Sequence, residues 1–223
     1  MTKRVLLLLA EGFELLEAAC FTDVFGWASI DGEEVIELIS AGWNETIPTT
    51  FGFHAVPDAH VNDLDLSTFD AVAIPGGFGT SGFYIEAMSE PFLDVIRHFA
   101  ADERPIASVC VAAIPLGAAG ILHGRCATTY HQAGGTRKAT LESYGAQFID
   151  RPIVTDRNII SSTGPGTGIE VAFALLAQLT SAENADNIRT LMRVPRPSET
   201  WLHTPQVVGQ GTGPSVQTKR KMS

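Results

Sequence analysis

Pro105-Ile-Ala-Ser-Val-Cys-Val-Ala-Ala-Ile-Pro-Leu-Gly117 is the stretch on which the reading of this chain turns. Ile106 to Val109 reads as a short buried strand, and the small residues from Val111 to Ala119 read as a helix. Cys110 therefore falls at a sharp strand-to-helix turn, its sulfur beside the first free N–H groups of the helix. Those donors and the helix dipole favour the thiolate, the nucleophilic form of the side chain. This is the cysteine counterpart of a nucleophile elbow. Free cysteine is also among the most buried residue types, so a packed core thiol fits the same stretch equally well.

Outward from this unit, strands and helices alternate. Arg4 to Ala10 is a continuous apolar run, as in a strand covered on both faces of a parallel sheet. Glu14 to Trp27 follows as a helix, with Leu15, Ala18, Ala19, Thr22, Phe25 and Gly26 forming its small apolar face. Glu34 to Ser40 and Phe69 to Pro75 read as further strands, and His54 to Pro57 as a short edge strand or hairpin arm. A helix opens at Ser89-Glu90-Pro91, where serine can cap and proline suits the first turn, and runs to Ala101. Cys126 to Thr129 and Gln147 to Ile149 are short strands around a helix near Thr136 to Tyr144. Ile159 to Ser162 is the last strand, followed by helices at Gly168–Leu179 and Ala182–Met192.

This alternation predicts an α/β fold: a doubly wound, mostly parallel sheet sandwiched by helices, in one domain over residues 1–195. Sites in such sheets form at the carboxyl ends of the strands. Gly12 to Glu17, Gly76-Gly77 and Cys110 all fall at such ends. Beyond Pro195 the pattern dissolves into a polar tail over 196–223, rich in Pro, Gly, Ser, Thr and Gln.

Twenty-five acidic against fifteen basic residues give a net charge of −10. That disfavours a nucleic-acid partner, whose phosphates demand a basic surface. Lys219-Arg220-Lys221 is a basic cluster inside the tail and reads as a solvated end. The longest uncharged run, Ile106 to Leu122, is interrupted by Pro115, Gly117 and Gly120 and is shorter than a membrane span of about 20 residues. No secretory signal is visible, and Cys20, Cys110 and Cys126 form an odd, sparse set that fits free thiols in a reducing, cytoplasmic compartment. His54 and His60 lack metal-ligand spacing, so no metal site is expected.

Four strings now stand in order: Ala10-Glu-Gly-Phe-Glu-Leu-Leu-Glu17, Asp70-Ala-Val-Ala-Ile-Pro-Gly-Gly77, Ile106-Ala-Ser-Val-Cys110 and Ser162-Thr-Gly-Pro-Gly-Thr167. Together they resemble the ThiJ/PfpI superfamily, a branch of the flavodoxin-like, class I glutamine amidotransferase-like fold, over about Arg4 to Leu191. The resemblance implies a nucleophile at Cys110 and an acidic partner at Glu17, with Glu14 one turn earlier as a second candidate. It also implies an oxyanion element at Gly76-Gly77, the N–H groups of Gly77 and Val111 converging on one oxygen. Thr163 would lie in a wall beside the site. A homodimer, a small-molecule substrate and no cofactor complete what the resemblance implies.

Each residue also has a plainer reading. Glu17 fits an exposed helix face, Glu14 a dimer-interface or helix-start carboxylate, Gly76-Gly77 a tight turn, and Thr163 helix initiation. Cys20 and Cys126 read as packed thiols. Peptidase-like members of the superfamily carry histidine directly after the nucleophile, and here that place is Val111. Peptidase activity is therefore not expected. Tyr130 and His131 are the candidates for the missing polar group, although a lone histidine is more often a hydrogen-bonded structural residue.

Two functions follow. In the first, Cys110 adds to a small electrophile such as a 2-oxoaldehyde, in the glyoxalase III type of chemistry that the resemblance implies, or to an isocyanide. Glu17 then moves protons. In the second, Cys110 is oxidised to sulfinic acid as a redox sensor or stress protein, with Glu17 hydrogen-bonded to the oxidised sulfur. A regulator or amidotransferase domain of a larger chain is a third reading, disfavoured by the acidic charge and the lack of a helix-turn-helix pattern.

Overall fold

A computed structural model describes residues 2–198 and Trp201. The first apolar run forms β1 (Lys3–Leu8), followed by α1 (Leu15–Asp31) and β2 (Ile36–Gly42). A small hairpin pairs β3 (Ile47–Pro48) with β4 (His54–Ala55), so the His54 segment is a hairpin arm. Then come β5 (Ala59–His60), β6 (Ala71–Ile74), α2 (Phe83–Ala87), α3 (Glu90–Ala101) and β7 (Ile106–Ser108). A single 3₁₀ turn at Cys110–Ala112 leads into α4 (Ala113–Ala118), β8 (Cys126–Ala127), α5 (Arg137–Ser143) and β9 (Gln147–Phe148). The described order closes with β10 (Ile153–Asp156), β11 (Ile159–Ser162), α6 (Gly168–Leu179) and α7 (Ala182–Leu191).

Seven strands form one sheet in the order β10-β11-β7-β6-β1-β2-β5. Every pairing in it is parallel except β10 against β11, where Ile153 faces Ser162 in an antiparallel register. The two short strands expected at Cys126 and Gln147 pair with each other, in parallel, outside that sheet. The sequence pattern misses β5 and β10, which are short strands at the two margins of the sheet. Helices α1, α6 and α7 pack together, while α3 and α4 pack together apart from them and α3 also lies against β6 and β7. Phe21, Phe25, Phe92 and Phe99 lock these layers and are fully buried.

The buried stripe of α1 is Glu17, Ala18, Phe21, Val24, Phe25 and Ala28. That stripe is rotated from the expected one: Leu15 and Leu16 are exposed and Thr22 faces solvent, while Glu17 lies inside. The cause is the size of the side chains. Phe21 and Val24 fill the space against the sheet better than Ala19 and Thr22 can, and they carry Glu17 in with them. Ser89 takes the N-cap backbone position of α3 as expected, but its side chain makes no capping hydrogen bond. The expected tail lies outside the described residues, apart from 196–198 and Trp201. No described helix is long and apolar enough to cross a membrane.

Candidate active site

β7, β6 and β1 are neighbours in the sheet, so the segments that leave their carboxyl ends meet at one crevice. The chain winds outward from β1 through β2 on one side and returns to β6 on the other, which makes the β1/β6 gap the switch point of the sheet. Beyond it the turn after β1 is tied to the turn after β6. Glu14 N donates to Gly76 O at 2.8 Å and Phe78 N donates to Gly12 O at 3.3 Å. These two bonds flank the Phe13–Gly77 bridge and leave the Gly77 N–H outside the ladder. Glycine is required here by close approach. A Cβ on Gly77 would stand 2.2 Å from Gly12 O, and one on Gly76 would stand 2.8 Å from Val109 O and 3.1 Å from Glu17 Oε2.

Cys110 has φ +60°, the left-handed region that a non-glycine residue rarely occupies. The strain, about 1–2 kcal/mol, is held in place from several sides. Val109 N donates to Ile74 O at 3.1 Å, which extends β7 along β6 to the turn. The Cys110 carbonyl accepts from Tyr130 N at 3.3 Å and from Thr129 Oγ1 at 3.1 Å. The elbow expected from the sequence is therefore present, and it is a single 3₁₀ turn before the helix proper begins.

Glu17 is wholly buried, not on an exposed helix face. Its Oε2 accepts from Gly76 N at 2.6 Å. That bond takes Gly76 out of the expected oxyanion pair and makes it the anchor of the acid. The other oxygen, Oε1, is sealed from solvent without a well-formed hydrogen bond, and Cys110 is the side chain with which Glu17 interacts. Burial, then the neighbouring Glu14 charge, pushes the Glu17 carboxyl from an ordinary 4.5 up to about 8. It is thus protonated at neutral pH.

The Cys110 thiol is also pushed up, well above the usual range, by burial first and then by the Glu17 charge. The Val111 N–H opposes this, as the helix-start argument expects. Desolvation outweighs it, so the expected depressed thiol is corrected: the isolated turn favours the thiolate and the closed site does not. The two acids are too close to ionise independently. The pair gives up its first proton as a unit, and the remaining proton is shared between carboxyl and sulfur.

A cavity of about 220 Å³ opens over the sulfur, lined by Glu14, Gly77, Phe78, Cys110, Val111, Tyr130, Gln132, Arg137 and Pro165. Glu14 is thus a wall of the site as well as the N-cap residue of α1, and burial raises its carboxyl too. Tyr130 also faces this cavity, its hydroxyl accepting from Gln132 Nε2. His131 does not. Its Nδ1 lies 3.0 Å from Thr129 O, its Nε2 3.3 Å from Asp150, and its ring packs edge-on to Phe148. The structure therefore does not bring His131 to Cys110. Thr163 is buried behind the wall, its N–H donating to Pro152 O at 3.0 Å, and Pro165 is the residue of that loop lining the cavity. Phe78, Gln132 and Arg137 carry no local sequence signal and are found only by the fold. No group of three or more His, Cys, Asp or Glu residues placed to hold a metal ion occurs among the described residues.

Residues 3–178 match the DJ-1/PfpI family. The chain belongs to that family. It is 30% identical over 192 residues to protein dj-1beta of Drosophila melanogaster, covering 84% of this chain and 95% of that one. The crystal structure of Drosophila DJ-1beta superposes with a TM-score of 0.77 at 28% identity, covering 88% of this chain and all (100%) of that one. An isonitrile hydratase of Pseudomonas putida is 31% identical over 152 residues, covering 66% of this chain and 61% of that protein. The chain spans half (50%) of the length of protein DJ-1 homolog A of Arabidopsis thaliana, to which it is 29% identical over 205 residues.

Proposed function

We propose that this DJ-1/PfpI family member is a cysteine-dependent enzyme that adds water to a small electrophile without a cofactor. One observation carries the reading: a strained elbow cysteine lines a cavity, with a buried, protonated glutamate interacting with it from within the core. On a 2-oxoaldehyde, the Cys110 sulfur attacks the aldehyde carbon and the carbonyl pair moves to oxygen. The N–H groups of Gly77 and Val111 face that oxygen. Hydrogen then moves from the hemithioacetal carbon to the neighbouring ketone carbon, with Glu17 shuttling the proton, to leave an α-hydroxy thioester. Water displaces the Cys110 thiolate and releases a hydroxy acid. The balance is one water added, with no external oxidant. An isocyanide, the substrate class in the name of the Pseudomonas relative, is taken by the same groups: sulfur adds to the terminal carbon and water releases a formamide.

Glu17 and Cys110 share a proton, so kcat/KM is expected to rise with pH through the first ionisation of the pair, near 8. Methylglyoxal and cyclohexyl isocyanide are the two substrates to measure. Turnover of neither by wild-type protein would sink the reading. The redox alternative uses the same sulfur and needs no turnover, so stoichiometric oxidation of Cys110 without turnover of either substrate would favour it.

We further propose the homodimer, with a second copy of this chain against α1. Leu16, Trp27 and Ile30 form an exposed apolar stripe along its outer side, 56%, 41% and 81% accessible. Sedimentation equilibrium is expected to give twice the chain mass, and Leu16→Glu is expected to shift it to monomer. A wild-type monomer at tens of micromolar concentration would exclude it.

A further inference from the structure

The cavity over Cys110 has one carboxylic acid in its lining, Glu14, and one basic wall. Among the described residues that line it, Arg137 is the one lysine or arginine. Arg137, like Arg151 and Arg193, has no carboxylate partner among the described residues, whereas Arg4, Arg97, Arg104, Arg125, Arg157, Arg189 and Arg196 all have one; neither Arg151 nor Arg193 lines this cavity. It is nevertheless held. Its guanidinium lies 5.3 Å from the centre of the Tyr130 ring, and its charge reaches the Tyr84 hydroxyl, opposing the rise that burial imposes there. A second cavity of about 550 Å³, lined by Tyr84, Met88, Ile114 and Tyr144 among others, shares Arg137 as a wall. The guanidinium therefore stands between the small space over the sulfur and a larger one.

A planar guanidinium with free N–H groups matches a carboxylate in a two-point pair. Glu14, the acid of the same cavity, makes no ion pair with Arg137 among the described residues, so the guanidinium keeps its N–H groups for a ligand.

We infer that Arg137 is an anion subsite of the Cys110 cavity and that the natural substrate carries a carboxylate in addition to its 2-oxoaldehyde group, beyond the ketone carbon. This rests on the reading of Cys110 as the nucleophile. It narrows the substrate class to anionic electrophiles, such as 2-oxoaldehydes that also bear a carboxylate. Neutral aldehydes and isocyanides then react by the same chemistry with weaker binding.

Iodoacetate and iodoacetamide test this independently of turnover. They are nearly isosteric, and each transfers its carbon to sulfur with loss of iodide, so charge is the variable. Cys110 alkylation is followed by peptide mass spectrometry in wild type, Arg137→Gln and Arg137→Lys. The ratio of the two rates is the readout, since any change in thiolate fraction cancels in it. Wild type is expected to show saturable alkylation by iodoacetate. Arg137→Gln is expected to lower the iodoacetate-to-iodoacetamide ratio by about ten-fold or more, the worth of one charge-assisted pair. Arg137→Lys is expected to restore part of it, and added salt to lower it in wild type. A ratio that does not change in Arg137→Gln overturns the subsite, even if both rates fall together. Alkylation of Cys20 or Cys126 but of Cys110 by neither reagent removes the nucleophile itself, and the subsite with it.

Discussion

Cys110→Ser is expected to lower turnover by at least about 10³-fold while leaving the protein folded. The hydroxyl occupies nearly the same space but does not ionise in the accessible pH range, so the first covalent step is lost. What remains, cavity and N–H groups, binds without reacting. A backbone signature accompanies the chemistry. At φ +60° a side chain is strained and glycine is not. Cys110→Ala keeps the strain, whereas Cys110→Gly relieves about 1–2 kcal/mol of it, more than the roughly 0.4–1 kcal/mol that glycine costs through the unfolded chain. Chemical denaturation is therefore expected to rank Cys110→Gly at least as stable as Cys110→Ala, with both inactive. A glycine variant clearly less stable than the alanine variant would mean that the elbow is not strained in solution. A serine variant with residual activity near wild type would remove Cys110 from the mechanism altogether.

That elbow was legible because a strand, a cysteine and a run of small residues have few other ways to fold. The apolar run after Lys3 and the glycine pair after Ile74 were legible for the same reason, and three adjacent strand ends then place them together. Legibility failed where neighbours decide. α1 is apolar around most of its circumference, so its sequence admits two stripes, and only docking against the sheet selects the one that buries Glu17. The thiol was misjudged for a related reason. A helix start is visible in sequence, but desolvation by the surrounding core is not. Tyr130 and His131 are adjacent in sequence and opposite in role, because successive residues of an extended segment point to opposite sides. Arg137 left no trace at all: it reaches the cavity from α5, well over twenty residues after the nucleophile.

Glu17→Gln is the more discriminating substitution, because it separates what the acid does for the reaction from what it does for the fold. The amide keeps the shape, and its oxygen can still accept from Gly76 N, whose bond to Glu17 is 2.6 Å. Its NH₂ can donate toward sulfur but cannot transfer a proton. Turnover is therefore expected to fall by about 10²–10⁴-fold, the usual worth of a positioned acid–base group. The rise of kcat/KM near pH 8 should go with it. Stability moves the other way. The folded carboxyl titrates at about 8 against an ordinary 4.5, so between these values the folded state holds a proton that the unfolded chain has released. Stability then falls as pH rises. The contribution is fully present below 4.5 and is lost as pH climbs to about 8, by roughly 4–5 kcal/mol if the whole shift is expressed. Glutamine has no such titration. Thermal denaturation across this window should show wild type losing stability relative to Glu17→Gln as pH rises, the variant becoming the more stable protein at the alkaline end. Parallel profiles would mean that Glu17 is already ionised in the folded protein. It would then act as a base toward the thiol, and the proton shared between Glu17 and Cys110 would have to be given up.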